Sequence, residues 1–514
     1  MARLVSKQKK SARRTSISKA KLRDVGENAV QHPKHLSRSK LEEIVTTRPR
    51  VDFTDSLMRH SAMQAKGISL CAFLVTLAAF QRGLKVTFHY EMATKIQKFR
   101  HAIMQGHRGE LFTISNGDRT HTFSRTLGDL IPQEAINAGE DKHLTKATLR
   151  SAGVRTPQGI VVSKEQTALI EKFVRHNSDK LFVVKPYNGT LGRDVHTGLE
   201  GHQVIEKVKL IPDNRLIIEE HIEGLEYRVF VVGYRFVASF LRAPASVIGD
   251  GESNIEKLIS IKNEKRKLNP RLTDDLISDM SAVSKFLAST GRSLETIPGN
   301  GEKVVLLDTS SVLAGGDPVD TTHEKIGDLA EMSEAACKAM DIAVSGLDVI
   351  VREENGQKVA YVLELNQKPH ISAQPFPMDS AGSGNLVAEA IIDYYFPETV
   401  NYQTRPRLTY DFSVIRNALH SAQISEISLP LVPKDWSVMR IEVQGNDRMK
   451  TFQSINAAAK ISGVYVIKAE GPNDTIQMCI SYSAVVFNKF LSLLPEPLRK
   501  PIAEQHVKQN PRLN

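Results

Sequence analysis

Cysteine, long apolar runs and the common phosphate-binding glycine motifs are what this 514-residue chain has least of, and each shortage excludes a class of protein. Its three cysteines, Cys71, Cys337 and Cys479, lie more than a hundred residues apart, so neither a disulfide framework nor a cysteine zinc site can be read from their spacing. A reducing, cytoplasmic compartment is expected. The longest apolar stretch, Gly67 to Phe80, has 14 residues, short of the roughly 20 that a membrane-spanning helix needs, and reads as a buried helix. No apolar core precedes residue 40, which argues against a secretory signal and leaves an Arg- and Ser-bearing organellar transit segment as the alternative. Neither GxxxxGK(S/T) nor a helix-opening GxGxxG occurs, and no internal repeat is evident.

Surplus charge is also missing from most of the chain. The first 50 residues hold 14 Lys and Arg against 4 Asp and Glu, which leaves 54 of each sign in the remainder and places the whole net charge of +10 at one end. The basic composition is therefore no argument for nucleic-acid binding by the folded part. Residues 1–50 are Ser/Lys/Arg-rich without hydrophobic periodicity, which predicts a basic disordered tail able to contact polyanions.

The remainder, in a chain of 41% hydrophobic and 25% charged residues, has material for several cores. Residues 51–138 read as an N-terminal α/β domain. A helix to Gln81 stops at Arg82-Gly83, an alternating strand follows over Leu84–Tyr90, and a Gly-Asp hairpin at Asn116–Arg119 joins strands Leu111–Ser115 and Thr120–Ser124. Over 139–400, strand-like segments at 159–162, 181–185, 215–219, 227–232, 236–241, 346–351 and 360–365 mix with helical stretches at 253–291 and 322–340. That order indicates α+β architecture rather than a doubly wound sheet. A polar linker, Asn401–Arg407, precedes a helix-and-strand module over 408–500.

Three segments carry chemistry. Val183-Val184-Lys185-Pro186 ends an apolar strand and runs into a loop with Gly189, Gly192 and Arg193; the lysine can reach a phosphate while the glycines let backbone N–H groups approach it. A surface turn with a snorkelling lysine is the alternative. Residues 217–228 (IIEEHIEGLEYR) join two strands through an acidic connection, which can offer backbone groups to an adenine edge, a carboxylate to ribose hydroxyls and Arg228 to phosphate charge, or can simply be solvated. Glu364 and Asn366, two apart on a strand, share one face, and the turn at 354–356 returns the chain from a neighbouring strand bearing Asp348. Two carboxylates and an amide oxygen are hard ligands suited to Mg²⁺, and the segment supplies no cation that would make Asp348 half of a chance salt bridge.

In their order along the chain these elements resemble the ATP-grasp ligases, in the group around cyanophycin synthetase and bifunctional glutathione synthetase, with D-alanine:D-alanine ligase more distant. The likeness runs over about 140–397 and implies an ATP-grasp domain over 139–400. DKHLTKATLRSAGVRTP is similar to the entry helix whose lysine, here Lys142, contacts nucleotide phosphates; VVKPYNGTLGRDV is similar to the second lysine, Lys185, with its glycine-rich lid. LIIEEHIEGLEYRVFVV resembles the adenine hinge and ribose carboxylate, which implies those roles for Glu219, Glu220, Ile222 and Glu226. LRAPASVIGDGESNIEKLI resembles a motif that puts Arg242 near the transferred phosphoryl group, with Arg228 beside it, and GLDVI with LELNQKP implies Asp348, Glu364 and Asn366 as metal ligands.

Two departures concern the substrate: Leu307 and Ser311 stand where the family pattern LRxTxNxSTGG has Arg and Asn, positions that would face the acceptor or acyl group. The C-terminal module has a local likeness to acylphosphatase, with Arg448 near the position of that loop's arginine, and implies a degenerate ferredoxin-like accessory domain. The resemblance implies an ATP-dependent carboxylate-amine ligase that forms an amide through an acyl phosphate, using ATP and Mg²⁺ (or Mn²⁺) on small carboxylate and amine substrates, as a cytoplasmic homo-oligomer. A non-catalytic ATP-binding assembly or regulatory protein is the alternative.

Overall fold

The computed structural model describes residues 51–89, 109–187, 194–400, 404–406, 408–420, 426–429, 437–444, 447–462, 464–470, 475–482 and 484–509. The basic tail, Gly189, Gly192 and the Gly445-Asn446 part of the acylphosphatase-like loop lie outside them.

Helix α1 (Ser56–Gln64) opens on Asp55, whose carboxylate accepts from the Leu57 N–H at 2.9 Å. The apolar run becomes α2 (Leu70–Gln81), buried at every position and ended by Gly83 at φ +77°. Strands β1 (Lys85–His89), β2 (Leu111–Ser115), β3 (Thr120–Ser124) and β4 (Leu127–Gly128) follow, then α3 (Gln133–Glu140) and α4 (Lys142–Ser151). A first lobe contains β5 (Gly159–Ser163), α5 (Thr167–His176), β6 (Phe182–Pro186), β7 (His196–Leu199), α6 (Gly201–Leu210) and β8 (Arg215–Glu220). A second contains β9 (Leu225–Val232), β10 (Arg235–Ala243), β11 (Ser246–Ile248), α7 (Ile255–Lys267), α8 (Met280–Ser289), β12 (Lys303–Val305), β13 (Asp317–Asp320), α9 (Leu329–Met340), β14 (Val344–Glu354), β15 (Gln357–Asn366) and α10 (Leu386–Tyr395). The chain closes with α11 (Phe412–His420), β16 (Glu426–Ser428), β17 (Ser437–Gln444), α12 (Arg448–Ser462), β18 (Tyr465–Glu470), β19 (Thr475–Tyr482), α13 (Ala484–Leu493) and α14 (Glu496–Gln509).

The sheets are antiparallel, as α+β architecture requires. The two lobes are built on sheets ordered β5-β8-β6-β7 and β13-β10-β9-β14-β15, joined directly by residues 221–224 between β8 and β9. Each sheet is half-covered by its own helices: Phe182, Val184, Leu216 and Ile218 pack under α5 and α6, and Val229, Val349 and Val362 under α4 and α9. The opposite faces carry the charged residues, Lys185 and Glu219 on the first sheet and Arg228, Arg242 and Asp348 on the second, where Phe230, Val232 and Phe240 of the same face pack into the N-terminal core with α10; the charged ends place the site between the lobes. Residues 245–307 form an insertion with its own small core of Ile255, Ile259, Val283 and Leu287.

The module expected to begin at residue 408 begins later. Leu408, Tyr410, Phe412, Ile415 and Leu419 are buried in the N-terminal core with α2, and β16 extends the N-terminal sheet, ordered β16-β1-β2-β3-β4. The reason is local. Tyr410 packs tilted or edge-on against Phe73, Phe80 and Phe88 and bonds the Thr76 hydroxyl at 2.5 Å, covering apolar surface that α2 could not bury alone. The C-terminal sheet, β17-β19-β18, has the ferredoxin-like order, with no fourth strand among the described residues. In its place α14 lies along β17, where Gln505 and Gln509 each donate to and accept from the backbone of Glu442 and Arg440 at 2.7–3.1 Å and so cover the strand edge.

Candidate active site between the two lobes

Asp141 caps α4 by accepting from the N–H groups of His143 and Leu144, and receives the Tyr187 hydroxyl at 2.7 Å. This fixes Lys142 at the first position of a ten-residue helix. Burial pushes the Lys142 ammonium down from its ordinary value, with Glu364 opposing that shift, Lys185 adding to it and Glu219 opposing it. Lys142 therefore senses both lobes: Lys185 and Glu219 lie on the first, Glu364 on the second.

Within the first lobe, Lys185 on β6 and Glu219 on the paired strand β8 face the same side, because Val183 opposes Glu219 and residues two apart share a face. Glu219 is only 3% exposed and is held between Lys185 and Lys146 of α4. Burial alone would raise its carboxyl; the two lysines outweigh that and push it down to about 2. Glu219 thus organises the lysines, and Lys146, which the sequence reading passed over, is its closest partner. A helix-interior lysine four residues after Lys142 gives no signal of this on its own. Glu220 turns to the opposite face, where it pairs with Lys180 at 2.5 Å and accepts the Gln158 N–H at 3.0 Å, which leaves its backbone at the inter-lobe connection. Ile222 is buried in that connection.

On the second lobe Asp348 and Glu364 are direct cross-strand partners and Asn366 follows on the same face, opposite Gly346. The segment itself supplies Asp348 no cation, as its sequence reads, but neighbouring strands do, so a salt bridge stands beside the metal reading. Arg228 on β9 stands 3.1 Å from Asp348 Oδ1 and Arg242 on β10 donates to the same atom at 2.8 Å; both come from strands that only the folded sheet brings alongside. Burial disfavours the Arg242 charge, but Asp348 and Glu226 outweigh it and raise its pKa. Although Glu364 is exposed as a residue, desolvation of its carboxyl and the neighbouring Asp348 carboxyl raise its pKa. Two crowded carboxyl groups beside an amide oxygen, Asn366 Oδ1, which accepts the Lys368 N–H at 3.0 Å, suit a hard dication that relieves their repulsion. Among the described residues no group of three or more His, Cys, Asp or Glu forms such a site alone, so the amide is needed as the third donor.

Glu226 is shared. One oxygen accepts from Arg242 and the other from Ser310, a residue absent from the sequence expectations. Ser310 is delivered by a tightly held loop: a Cβ on Gly316 would meet the carbonyls of Ser311, Ser310 and Ala243 at 2.8–3.0 Å, and fully buried Arg266 donates to Gly316 O and Asp317. Leu307 does not face the site. It is buried in the insertion core, and it is Ser310, not Ser311, that reaches Glu226.

Residues 139–372 match the family model described as an ATP-grasp domain, the span that carries the sheets of both lobes. This region is an ATP-grasp domain. Its curated relatives include the bifunctional glutathione biosynthesis proteins of Clostridium perfringens, 33% identical over 50% of this chain and 34% of that protein, and of Streptococcus thermophilus, 27% identical over 66% of this chain and 44% of that one. The chain thus spans between a third and a half of the length of these relatives. A solved bifunctional glutathione synthetase from Pasteurella multocida aligns with 56% of this chain and 40% of its own at 24% identity and a TM-score of 0.45. Among the described residues no helix is long and apolar enough to cross a membrane.

Proposed function

We propose that the ATP-grasp domain catalyses ATP-dependent ligation of a carboxylate to an amine in the cytoplasm. A substrate carboxylate oxygen attacks the γ-phosphorus of ATP, ADP leaves, and an acyl phosphate forms; the amine then attacks the acyl carbon, phosphate leaves, and an amide remains after loss of a proton. The observation that carries this reading is the facing of two charged clusters, Lys185 with Glu219 on the first lobe and Glu364 beside Asp348, Arg228 and Arg242 on the second, with Lys142 at the start of α4 under the influence of both.

Each group has a task that its position suits. Lys142 and Lys185 bind phosphate charge, with the N-terminus of α4 adding its partial positive charge. The backbone at Glu220 and Ile222 meets the adenine edge. Glu226, held by Ser310, is placed for ribose. Arg242 and Arg228 stabilise charge that grows on the transferred phosphoryl group and on the acyl phosphate. Asp348, Glu364 and Asn366 would hold Mg²⁺, which would supply neutralisation of phosphate charge. The amine and acid are read as small amino acids or peptides, by likeness to relatives named for glutathione biosynthesis.

The test is ADP release with Mg²⁺ across a panel of amino acids and short peptides, with hydroxylamine added to trap the acyl phosphate as a hydroxamate. ADP release that needs both an acid and an amine, with hydroxamate replacing the amide when the amine is omitted, is the expected result. ATP binding without release under any pair overturns the reading.

A further inference from the structure

Resting on the ligase reading, we propose that Arg125, Lys368 and His370, at the junction of the β3–β4 turn with the segment after Asn366, seat a second carboxylate of the acid substrate. The acid activated is then a polycarboxylate, and the N-terminal sheet contributes to its recognition.

The junction is built by three contacts. Thr126 Oγ1 donates to the Pro369 carbonyl at 2.9 Å, the Lys368 ammonium donates to Ser124 Oγ at 2.6 Å, and Arg125 Nη1 lies 3.2 Å from His370 Nε2. The segment is also pressed onto the second lobe: a Cβ on Gly346 would stand 2.7 Å from Pro369. Arg125 holds a left-handed backbone, φ +57°, which a long side chain adopts only when its surroundings over-determine it. Here the Arg125 N–H donates to Glu110 O at 2.7 Å.

The donors gathered there are under-used. Lys368 has three N–H donors; its side-chain bond is to a neutral hydroxyl, and among the described residues no carboxylate comes within ion-pair distance. The Arg125 guanidinium meets a ring nitrogen, and its Nε is 3.5 Å from the buried Glu110 carboxylate, too long for a bond of ordinary strength. His370 reports the resulting field: desolvation first, then Arg125, Arg271, Arg228 and Lys368, push its ring down to about 3. Burial, the largest cause, disfavours charge of either sign; the three arginines and Lys368 add to it with the sign that favours an anion.

Arg228 connects the junction to the chemistry. Its Nη1 donates to the carbonyl of Gly346, the residue Pro369 is pressed against, at 3.3 Å, and stands 3.1 Å from Asp348 Oδ1. The seat therefore adjoins the residues proposed to hold the metal, as the Lys368 N–H, which donates to Asn366 Oδ1 at 3.0 Å, also shows. A monocarboxylate in the reacting position would leave Arg125 with a ring nitrogen and a long contact to Glu110, and Lys368 with a neutral hydroxyl; an acid with a further carboxylate would give both a charged acceptor.

The experiment measures binding of propane-1,2,3-tricarboxylate and of butyrate to the full chain by calorimetry, with Mg²⁺ and a non-hydrolysable ATP analogue present. The tricarboxylate should bind more tightly by about tenfold or more, as expected for charge-assisted hydrogen bonds. Arg125→Asn, chosen because asparagine accepts the left-handed backbone, and Lys368→Gln should each remove about tenfold of that preference while analogue binding reports that the fold is intact. Equal binding of the two acids in the parent protein overturns the proposal. So does a preference that survives both substitutions, which would assign it to charge elsewhere, such as the basic tail. The ligase reading fails separately: a preference lost in the variants, together with no ADP release for any acid, leaves the anion seat standing and removes the ligation.

Discussion

Replacing Glu219 by Gln strikes the electrostatic centre of the first lobe. In the parent protein this carboxylate is 3% exposed and neutralises Lys146 and Lys185, and the distance from its ordinary value of 4.5 down to about 2 corresponds to about 3 kcal/mol at neutral pH. The sign follows from the direction. A lowered carboxyl stabilises the fold fully above pH 4.5 and loses that contribution as pH falls through 2. Lys146 behaves oppositely: burial, only partly offset by Glu219, lowers its ammonium to about 8, so its charge costs stability at neutral pH, and the cost fades as pH rises through 8 toward 10.5. Glu219→Gln should therefore lower stability at pH 7 by about 3 kcal/mol, the lower end for breaking a buried pair. At pH 9 the gap should narrow by about 1 kcal/mol, because Lys146 without its partner loses its proton more readily. Urea unfolding of parent and variant at the two pH values, followed by amide circular dichroism, measures both quantities. An unchanged midpoint at pH 7, or a gap as large at pH 9 as at pH 7, would refute the electrostatic account of this cluster.

Glu364→Gln should cut ADP release by about 10² or more if the carboxylate holds a charge-neutralising dication, yet leave the thermal midpoint unchanged or raised, since it removes a like charge beside Asp348. Loss of stability in step with loss of turnover would assign Glu364 a structural role. Arg242→Ala should lower kcat more than it raises KM for ATP, read by steady-state ADP release, because its charge matters most as the acyl phosphate forms. A chain ending at Arg407 should melt well below the full chain, having lost Leu408, Tyr410, Phe412, Leu419 and β16, whereas one ending at Leu429 should keep the N-terminal melting transition and bind ATP. Equal melting of the two truncated chains would show that residues 408–429 add nothing to that core.

Local pattern was enough to place the elements that carry the site. Alternation and turn chemistry located β2 and β3 at their observed limits and the Asn355-Gly356 turn between β14 and β15, where both residues have positive φ. Period two put Glu364 and Asn366 on one face, and the hairpin put Asp348 opposite them, as the register shows. The order of motifs along the chain implied the ATP-grasp domain because a lysine at a strand end, an acidic connection and a carboxylate pair are each encoded within a segment of fewer than twenty residues. The residues that decide charge and recognition come from greater distances: Arg228 and Arg242 reach Asp348 across more than a hundred residues, Lys146 reaches Glu219 across 73, and Arg125 meets His370 across 245. The same holds for residues 408–429, whose apolar side chains look no different in sequence whether they serve the module that follows or a core formed more than three hundred residues earlier. Backbone periodicity is a property of neighbours in the chain and is legible there; which cation offsets a buried carboxylate, and which core takes an apolar segment, is set by the packing that minimises unpaired charge and exposed surface, and only the tertiary structure contains it.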